Sequence, residues 1–290
     1  MNVGIVSPGA MGSAVGAALA RGGARVVATL AGRSERTGRL AEHAGIELLP
    51  DLESVVREAA VILSIAPPEA ARAVATDIAA AARAAAAHPL VADLNAVAPA
   101  TARAIADELS HDGLELVDGS ISGPPPWKPG TTRVYLSGAR ARDIADLPIE
   151  GVERVVVGDE VGTASAVKMS TASVYKGTSA LLAQALLAAR ANGVLEHVLD
   201  DLRAGSPELV GRIERRLAMA ASKSGRYVGE MREIATTQEA AGLTPALFEA
   251  MAEVFGSLSA SELAQSAPEN LPGHLELVDV LERLRKRTQD

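Results

Sequence analysis

Near the start of the chain, Ser7-Pro8-Gly9-Ala10-Met11-Gly12 separates the β-branched run 3–6 from a stretch of helix formers at 10–21. A strand that ends in glycines before a helix lets backbone N–H groups approach an anion at the helix N-terminus, where the helix dipole favours negative charge. The spacing Ser7-x-Gly9-x-x-Gly12 is that of a pyrophosphate-binding turn, with serine in place of the leading glycine. Gly9, Ala10, Met11 and Gly12 are therefore expected to bind a dinucleotide. The alternative is a turn in which Gly9 and Gly12 only permit close helix packing. A second cluster, Gly32-Arg33-Ser34-Glu35-Arg36, follows the apolar run 25–30. A carboxylate at this place accepts bonds from the ribose 2′-OH of NAD, whereas an arginine accommodates the 2′-phosphate of NADP. No carboxylate ends the run, so the expected cofactor is NADP(H). Arg33 would grip the phosphate or stack on adenine, and Ser34 would donate a hydrogen bond while capping the next helix. Arg36 is either a further contact or part of a solvated helix face; Arg39 reads as surface.

The elements that must position these residues alternate strand and helix up to about residue 117. Strands are expected at 3–6, 25–30, 46–48, 60–65, 90–94 and 114–117, and Pro67-Pro68 opens an Ala-rich helix, proline being tolerated in a first turn. Near-continuous apolar strands in such an alternation imply a parallel sheet covered on both faces. Two further strands are expected at 133–136 and 152–157. Beyond 161 the pattern is helical: 161–191, 194–203, 207–222, 226–241, 244–258 and 274–287. The expected fold class is α/β, an N-terminal Rossmann-type doubly wound sheet followed by an all-helical C-terminal domain. Residues 1–160 form the dinucleotide-binding domain. Residues 161–290 form a helical substrate and dimerisation domain that begins with a long interdomain helix.

Composition narrows the function classes. The 290 residues include one Trp, three Tyr and two Phe, so the core must be built from Ala, Val, Leu and Ile. A net charge of -8 gives no reason to expect nucleic acid or an anionic membrane as partner. The absence of cysteine excludes disulfides and thiolate metal sites. No pair among His43, His88, His111, His197 and His274 has metal-ligand spacing, and no metal is expected. The apolar N-terminus lacks a basic region and does not read as a signal peptide. The apolar stretches 78–87 and 177–189 are too short or are broken by Arg83 and Gln184, so a cytoplasmic protein is expected.

Taken together, the motifs resemble the β-hydroxyacid dehydrogenase superfamily, which includes 6-phosphogluconate dehydrogenase. The family's Gly-x-Gly-x-Met-Gly turn is similar to residues 7–12, and the Asn-Arg-Ser/Thr of its NADP users is similar to Gly32-Arg33-Ser34. A small-residue-Pro turn after the fourth strand resembles Ile65-Ala66-Pro67, and Asp-x-Ser-Thr-x-x-Pro resembles Asp93-Leu94-Asn95-Ala96-Val97-Ala98-Pro99. The substrate loop Asp-Ala-Pro-Val-Ser-Gly-Gly is similar to Asp118-Gly119-Ser120-Ile121-Ser122-Gly123-Pro124. The resemblance implies cofactor contacts from Ala66, Pro67 and Asn95 and substrate contacts from Ser122 and Gly123. The alternative for 123–126 is a stiff exposed turn.

The family's catalytic element is a glycine-led interdomain helix with Lys-x-x-x-Asn, and 162–172 resembles it, with Lys168 at the lysine position. Lys168, Thr171, Tyr175 and Ser179 fall on one helical stripe. That polar seam either binds substrate oxygens or is a solvated helix face. Hydride transfer to or from an alcohol carbon needs a group that takes or gives the hydroxyl proton. A lysine does so only when burial or a nearby cation lowers its pKa from about 10.4. Lys176, about 12 Å along the axis from Lys168, is too distant to tune it and is either an anion contact or solvated. Trp127 is a pocket wall or a packing anchor against the helical domain, and Tyr227 and Glu230 approach the cleft or form an ordinary interface.

Two departures bear on substrate. The family's asparagine is Ala172, and its Lys-Asp-Leu motif has no lysine counterpart, the matching stretch being Gly229-Glu230-Met231. The function expected is an NADP(H)-dependent oxidoreductase acting on a small hydroxy acid or oxo compound, with Lys168 as acid/base. The rivals are an NADPH-dependent imine reductase, which is a fold relative, and a non-catalytic NADP(H)-sensing protein. The resemblance also implies a homodimer.

Overall fold

The computed structural model describes residues 1–285. These pack as two compact units, Met1–Met169 and the residues from Ser170 onward. In the first unit the strands are β1 Asn2–Val6, β2 Arg25–Ala28, β3 Glu47–Leu48, β4 Val61–Ser64, β5 Leu90–Asp93, β6 Leu116–Ser122, β7 Thr132–Ser137 and β8 Val152–Gly158. Its helices are α1 Ala10–Arg21, α2 Glu35–His43, α3 Leu52–Glu58, α4 Ala71–Ala85, α5 Pro99–Ser110 and α6 Ala141–Ala145. The long helix α7, Thr163–Ala191, starts in this unit and continues into the second.

One sheet runs β3-β2-β1-β4-β5-β6-β7-β8. Its first six strands are parallel, and β1 lies between β2 and β4, the point at which the strand order reverses. The period-two alternation of each buried strand feeds two cores. Val3, Ile5, Val26, Leu63 and Ala92 pack on one face with Val15 and Leu19 of α1, and Val27, Ile62 and Val91 pack on the other with Val55, Ile78 and Ile105 of α3, α4 and α5. The N-terminal unit is thus a Rossmann-type doubly wound domain, and the region after it is helical.

The expectation of a parallel sheet holds for six strands and changes at β7. β7 is antiparallel to β6, and β8 is parallel to β7. The connection from Ser122 to Thr132 is short and holds no helix, so it can only fold back as a hairpin, whereas a parallel partner needs a crossover of a dozen residues or more.

In the second unit, α7 is followed by α8 Leu195–Gly205, α9 Pro207–Val210, α10 Ile213–Ala221, α11 Ser224–Ala240, α12 Ala246–Ser259 and α13 Leu277–Arg285. The single helix expected over 207–222 is broken because Gly211 is extended and Arg212 takes the left-handed conformation, φ 57°. The final helix, expected over 274–287, begins at Leu277 and is described to Arg285; residues 286 and 287 lie outside the described residues. Among the described residues no helix is long and apolar enough to cross a membrane.

Candidate functional site

The candidate residues of the first unit gather at the carboxyl ends of β1, β2, β4, β5 and β6, where open α/β sheets bind ligands. At the end of β1, Gly9 stands at the N-cap of α1, and no side chain caps that helix. The first-turn N–H groups of Ala10, Met11 and Gly12 thus belong to the set that a helix leaves without internal partners. A Cβ at Gly9 would meet nothing within 4 Å, whereas one at Gly12 would lie 2.5 Å from the Ser7 carbonyl oxygen. Gly9 faces open space, and Gly12 lets the helix sit tightly on the turn. Both features fit a pyrophosphate held against α1.

Beside the turn opens a groove of about 340 Å³, lined in part by Val6, Ser7, Thr29, Arg33, Leu52 and Val74. Its lining also includes one carboxylate, Asp77 of α4; the apolar walls and the single arginine suit an adenosine whose anionic group lies at Arg33. The Arg33 side chain is exposed and has no hydrogen-bond or ion-pair partner among the described residues. Ser34 caps α2, its Oγ accepting the Thr37 N–H at 3.3 Å. Arg36 is exposed on the first turn of α2.

Asn95, at the end of β5, is buried and uses its side chain inside the protein. Its Oδ1 accepts the Ala66 N–H at 2.5 Å, and its Nδ2 donates to Ser64 Oγ at 3.1 Å and to Asp93 Oδ2 at 2.9 Å. Asn95 therefore ties the Ala66-Pro67 loop after β4 to the end of β5. Asp93 is fully buried, and this pushes its carboxyl up to about 7; the negative charge of Asp118 adds to the rise, while hydrogen bonds from Asn95 oppose it. An acid raised in the folded state holds its proton there longer than in the unfolded chain. Its contribution is complete below the ordinary value near 3.8 and is lost as pH rises through about 7. Wild-type stability is expected to fall by a few kcal/mol between about pH 4 and pH 8 through this group. Asp93→Asn should flatten that slope in urea unfolding curves; an unchanged slope would show that Asp93 does not titrate in this range.

Lys168 lies on the second turn of α7, half-buried, and its Nζ donates to the Ile121 carbonyl of β6 at 2.7 Å. This places the ammonium group beside Ser122, the next residue of β6. Gly123 follows with φ 112°, and a Cβ there would lie 2.4 Å from the Thr131 carbonyl, so glycine closes the hairpin into β7. Its neighbour Trp127 packs against the ring of His43, with centroids 5.3 Å apart.

What holds the start of α7 in place is Asp118, 1 % exposed. Its Oδ2 accepts from Ser137 Oγ at 2.9 Å, Gly162 N at 2.9 Å and Ser165 N at 3.0 Å, and its Oδ1 accepts from Ser165 Oγ at 2.6 Å. Ser120 Oγ adds a bond to the Ala164 carbonyl at 2.9 Å. A carboxylate at a helix N-terminus satisfies orphan N–H groups and complements the dipole. The sequence showed Asp118 only as the first residue of a loop motif; its partners, 19 to 47 residues distant, left no local signal.

Thr171 and Tyr175 follow on α7 in the second unit. The polar seam of this helix does not share one environment: Tyr175 is 73 % exposed and Ser179 7 %. Lys176 is taken up within the unit. Its ammonium pairs with the buried Glu230 carboxylate, which also receives Arg226 Nε at 3.1 Å, and lies 4.5 Å above the Tyr227 ring. Tyr227 packs edge-on against Phe255, and burial raises its phenol above the ordinary value. Lys176, Glu230 and Tyr227 thus form one buried cluster joining α7 and α11.

Comparison with known proteins places this geometry. A curated relative, an uncharacterized 28.5 kDa protein in the 7S RNA 5′ region of Methanothermus fervidus, is 27% identical over 171 residues, covering 59% of this chain and 64% of that protein's length. A solved structure of a conserved protein of unknown function, described as similar to 3-hydroxyacid dehydrogenases, is 28% identical with a TM-score of 0.66 and covers 89% of this chain and 97% of its own. The 3-hydroxyisobutyrate dehydrogenase of Mycobacterium tuberculosis, solved with L-serine, shares the fold at 19% identity and a TM-score of 0.68, covering 98% and 99%. An imine reductase from Streptomyces aurantiacus shares it at 17% identity and a TM-score of 0.55, covering 99% and 100%. Residues 189–258 match a model described as a domain of unknown function, DUF1932. Residues 2–146 match the model described as the NAD binding domain of 6-phosphogluconate dehydrogenase. On that match, which spans half of the sequence and contains the turn, the groove and the β1–β6 sheet, the chain belongs to the 6-phosphogluconate dehydrogenase-like NAD-binding family.

Proposed function

We propose that this protein is an NADP(H)-dependent oxidoreductase that moves a hydride between the nicotinamide and a small hydroxy acid or oxo compound. The observation that carries the reading is Lys168 Nζ, 2.7 Å from the Ile121 carbonyl and next to Ser122, on a strand that lies within the matched NAD-binding domain. When bound, the cofactor supplies or accepts the hydride. The turn at Gly9–Gly12 holds its pyrophosphate, and Arg33 and Ser34 hold the adenosine end. Ser122 and the Gly123 N–H anchor the substrate, with Thr171 and Tyr175 as further contacts. During oxidation the neutral Lys168 amine takes the hydroxyl proton and becomes the ammonium, and during reduction the ammonium gives its proton to the carbonyl oxygen. Asp118 keeps the start of α7, and so Lys168, in register with β6. The experiment is to follow NADPH consumption with panels of oxo acids and aldehydes, and NADPH formation with hydroxy acids; turnover on either supports the reading.

A second reading, reduction of an imine, is favoured by one residue. Ala172 stands where hydroxyacid dehydrogenases of the family carry asparagine, and it is 3 % exposed, so it offers a substrate neither a hydrogen bond nor an open surface. Turnover confined to cyclic imines would select it.

The cofactor preference has its own test. A charge-assisted contact to the 2′-phosphate predicts that Arg33→Ala weakens NADPH binding by about 10- to 100-fold and leaves NADH unchanged. Equal losses for the two cofactors in calorimetric titration would remove Arg33 from the phosphate.

A further inference from the structure

Ser7 occupies the place of the leading glycine and keeps the backbone a glycine would adopt, with φ at +67°. A residue with a Cβ is strained in that region and persists there only where its surroundings dictate the conformation. They do so here. The Ser7 carbonyl accepts the Gly9 N–H at 2.8 Å, and Gly12 packs close against the same oxygen. A second cost falls on the side chain: Ser7 Oγ is buried and has no hydrogen-bond partner among the described residues. A buried hydroxyl in that state is destabilising. The other serine of the segment, Ser13, is satisfied by the Pro8 carbonyl at 2.5 Å. Glycine at position 7 would remove both costs, and the contacts of the Ser7 carbonyl hold the strained backbone without giving the hydroxyl a partner among the described residues. Strain and an unsatisfied polar group coincide on a residue that lines the groove beside an uncapped helix N-terminus.

Resting on the dinucleotide reading above, we infer that Ser7 is a cofactor-binding residue. In the bound state its hydroxyl turns about the Cα–Cβ bond into the groove and donates a hydrogen bond to a pyrophosphate oxygen. The serine stiffens and destabilises the empty turn and adds a donor that the leading glycine of the usual fingerprint lacks.

Two variants test this by thermal denaturation of the ligand-free protein and calorimetric titration with NADPH. Ser7→Gly should melt at a higher temperature than wild type yet bind NADPH about tenfold more weakly. Ser7→Ala, which keeps the strained backbone and loses only the hydroxyl, should show the same weakening. Stability gained with affinity lost is a pair of signs that damage to the fold does not produce. NADPH affinity within about twofold of wild type in Ser7→Ala overturns the inference, as does a Ser7→Gly protein that loses stability and affinity together. Wild-type protein that binds neither NADPH nor NADH overturns the dinucleotide reading itself and the inference with it.

Discussion

Lys168→Ala is expected to lower turnover by about 10²-fold or more while leaving NADPH affinity unchanged, as the loss of a positioned acid/base does. The reasoning is geometric. Nζ reaches the end of β6 at the Ile121 carbonyl, beside the strand residues proposed to anchor substrate, and not the turn after β1 that is proposed to hold the pyrophosphate. A cofactor-binding defect in this variant would therefore place Lys168 in a different role. Lys168→Arg separates proton transfer from simple charge. A guanidinium supplies a cation and donors but does not give up its proton in proteins. If Lys168 only steadies an anionic substrate, arginine should restore most of kcat; if it moves a proton, kcat should stay as low as in the alanine variant. Both variants are read by steady-state kinetics with the best substrate from the panels, together with NADPH titration.

Asp118→Ala is expected to cost about 3–5 kcal/mol of folding free energy, because it strips the acceptor from four buried donors at once. The Gly162 and Ser165 N–H groups and the Ser165 hydroxyl lose their acceptor, and Ser137 keeps only its contact as acceptor from Ala164 N. For a domain of this size the melting temperature should fall by about 10 °C. Asp118→Asn should recover much of the loss, since its amide oxygen can take the Oδ2 position that accepts the Gly162 and Ser165 N–H groups, while its NH2 faces only the Ser165 hydroxyl, which can accept. Urea unfolding measures the loss; a change under about 1 kcal/mol would mean that water satisfies these donors and that Asp118 does not anchor α7. Residual folded protein should also lose kcat more than NADPH affinity, because the groups released are those that set the start of the Lys168 helix.

The sheet and the order of its elements were legible because buried parallel strands appear as continuous apolar runs, such as Val61–Ser64 and Leu90–Asp93, each followed by a helix. The direction of β7 was not, since apolar pattern is silent on strand direction; the short connection from Ser122 to Thr132 decides it. The break at Gly211-Arg212 escaped notice because the flanking residues keep helical composition and only the backbone of Arg212 departs. At the site, the glycine turn and Arg33 were visible as local patterns. Asn95 was visible as a motif position, but its role as a tie between β4 and β5 depends on Ser64 and Ala66, about 30 residues earlier in the chain. Lys176 shows the same limit in the other unit: its charge was plain, and its burial against Glu230 was not. Ser7 is intermediate, since the sequence marks the missing glycine and the structure supplies the strained φ and the stranded hydroxyl.

The most direct measurement is a calorimetric titration of the wild-type protein with NADPH and with NADH at the same ionic strength. The account predicts saturable binding of both, with NADPH at least about tenfold tighter through Arg33. NADH binding as tight as NADPH, or no binding of either, would contradict it.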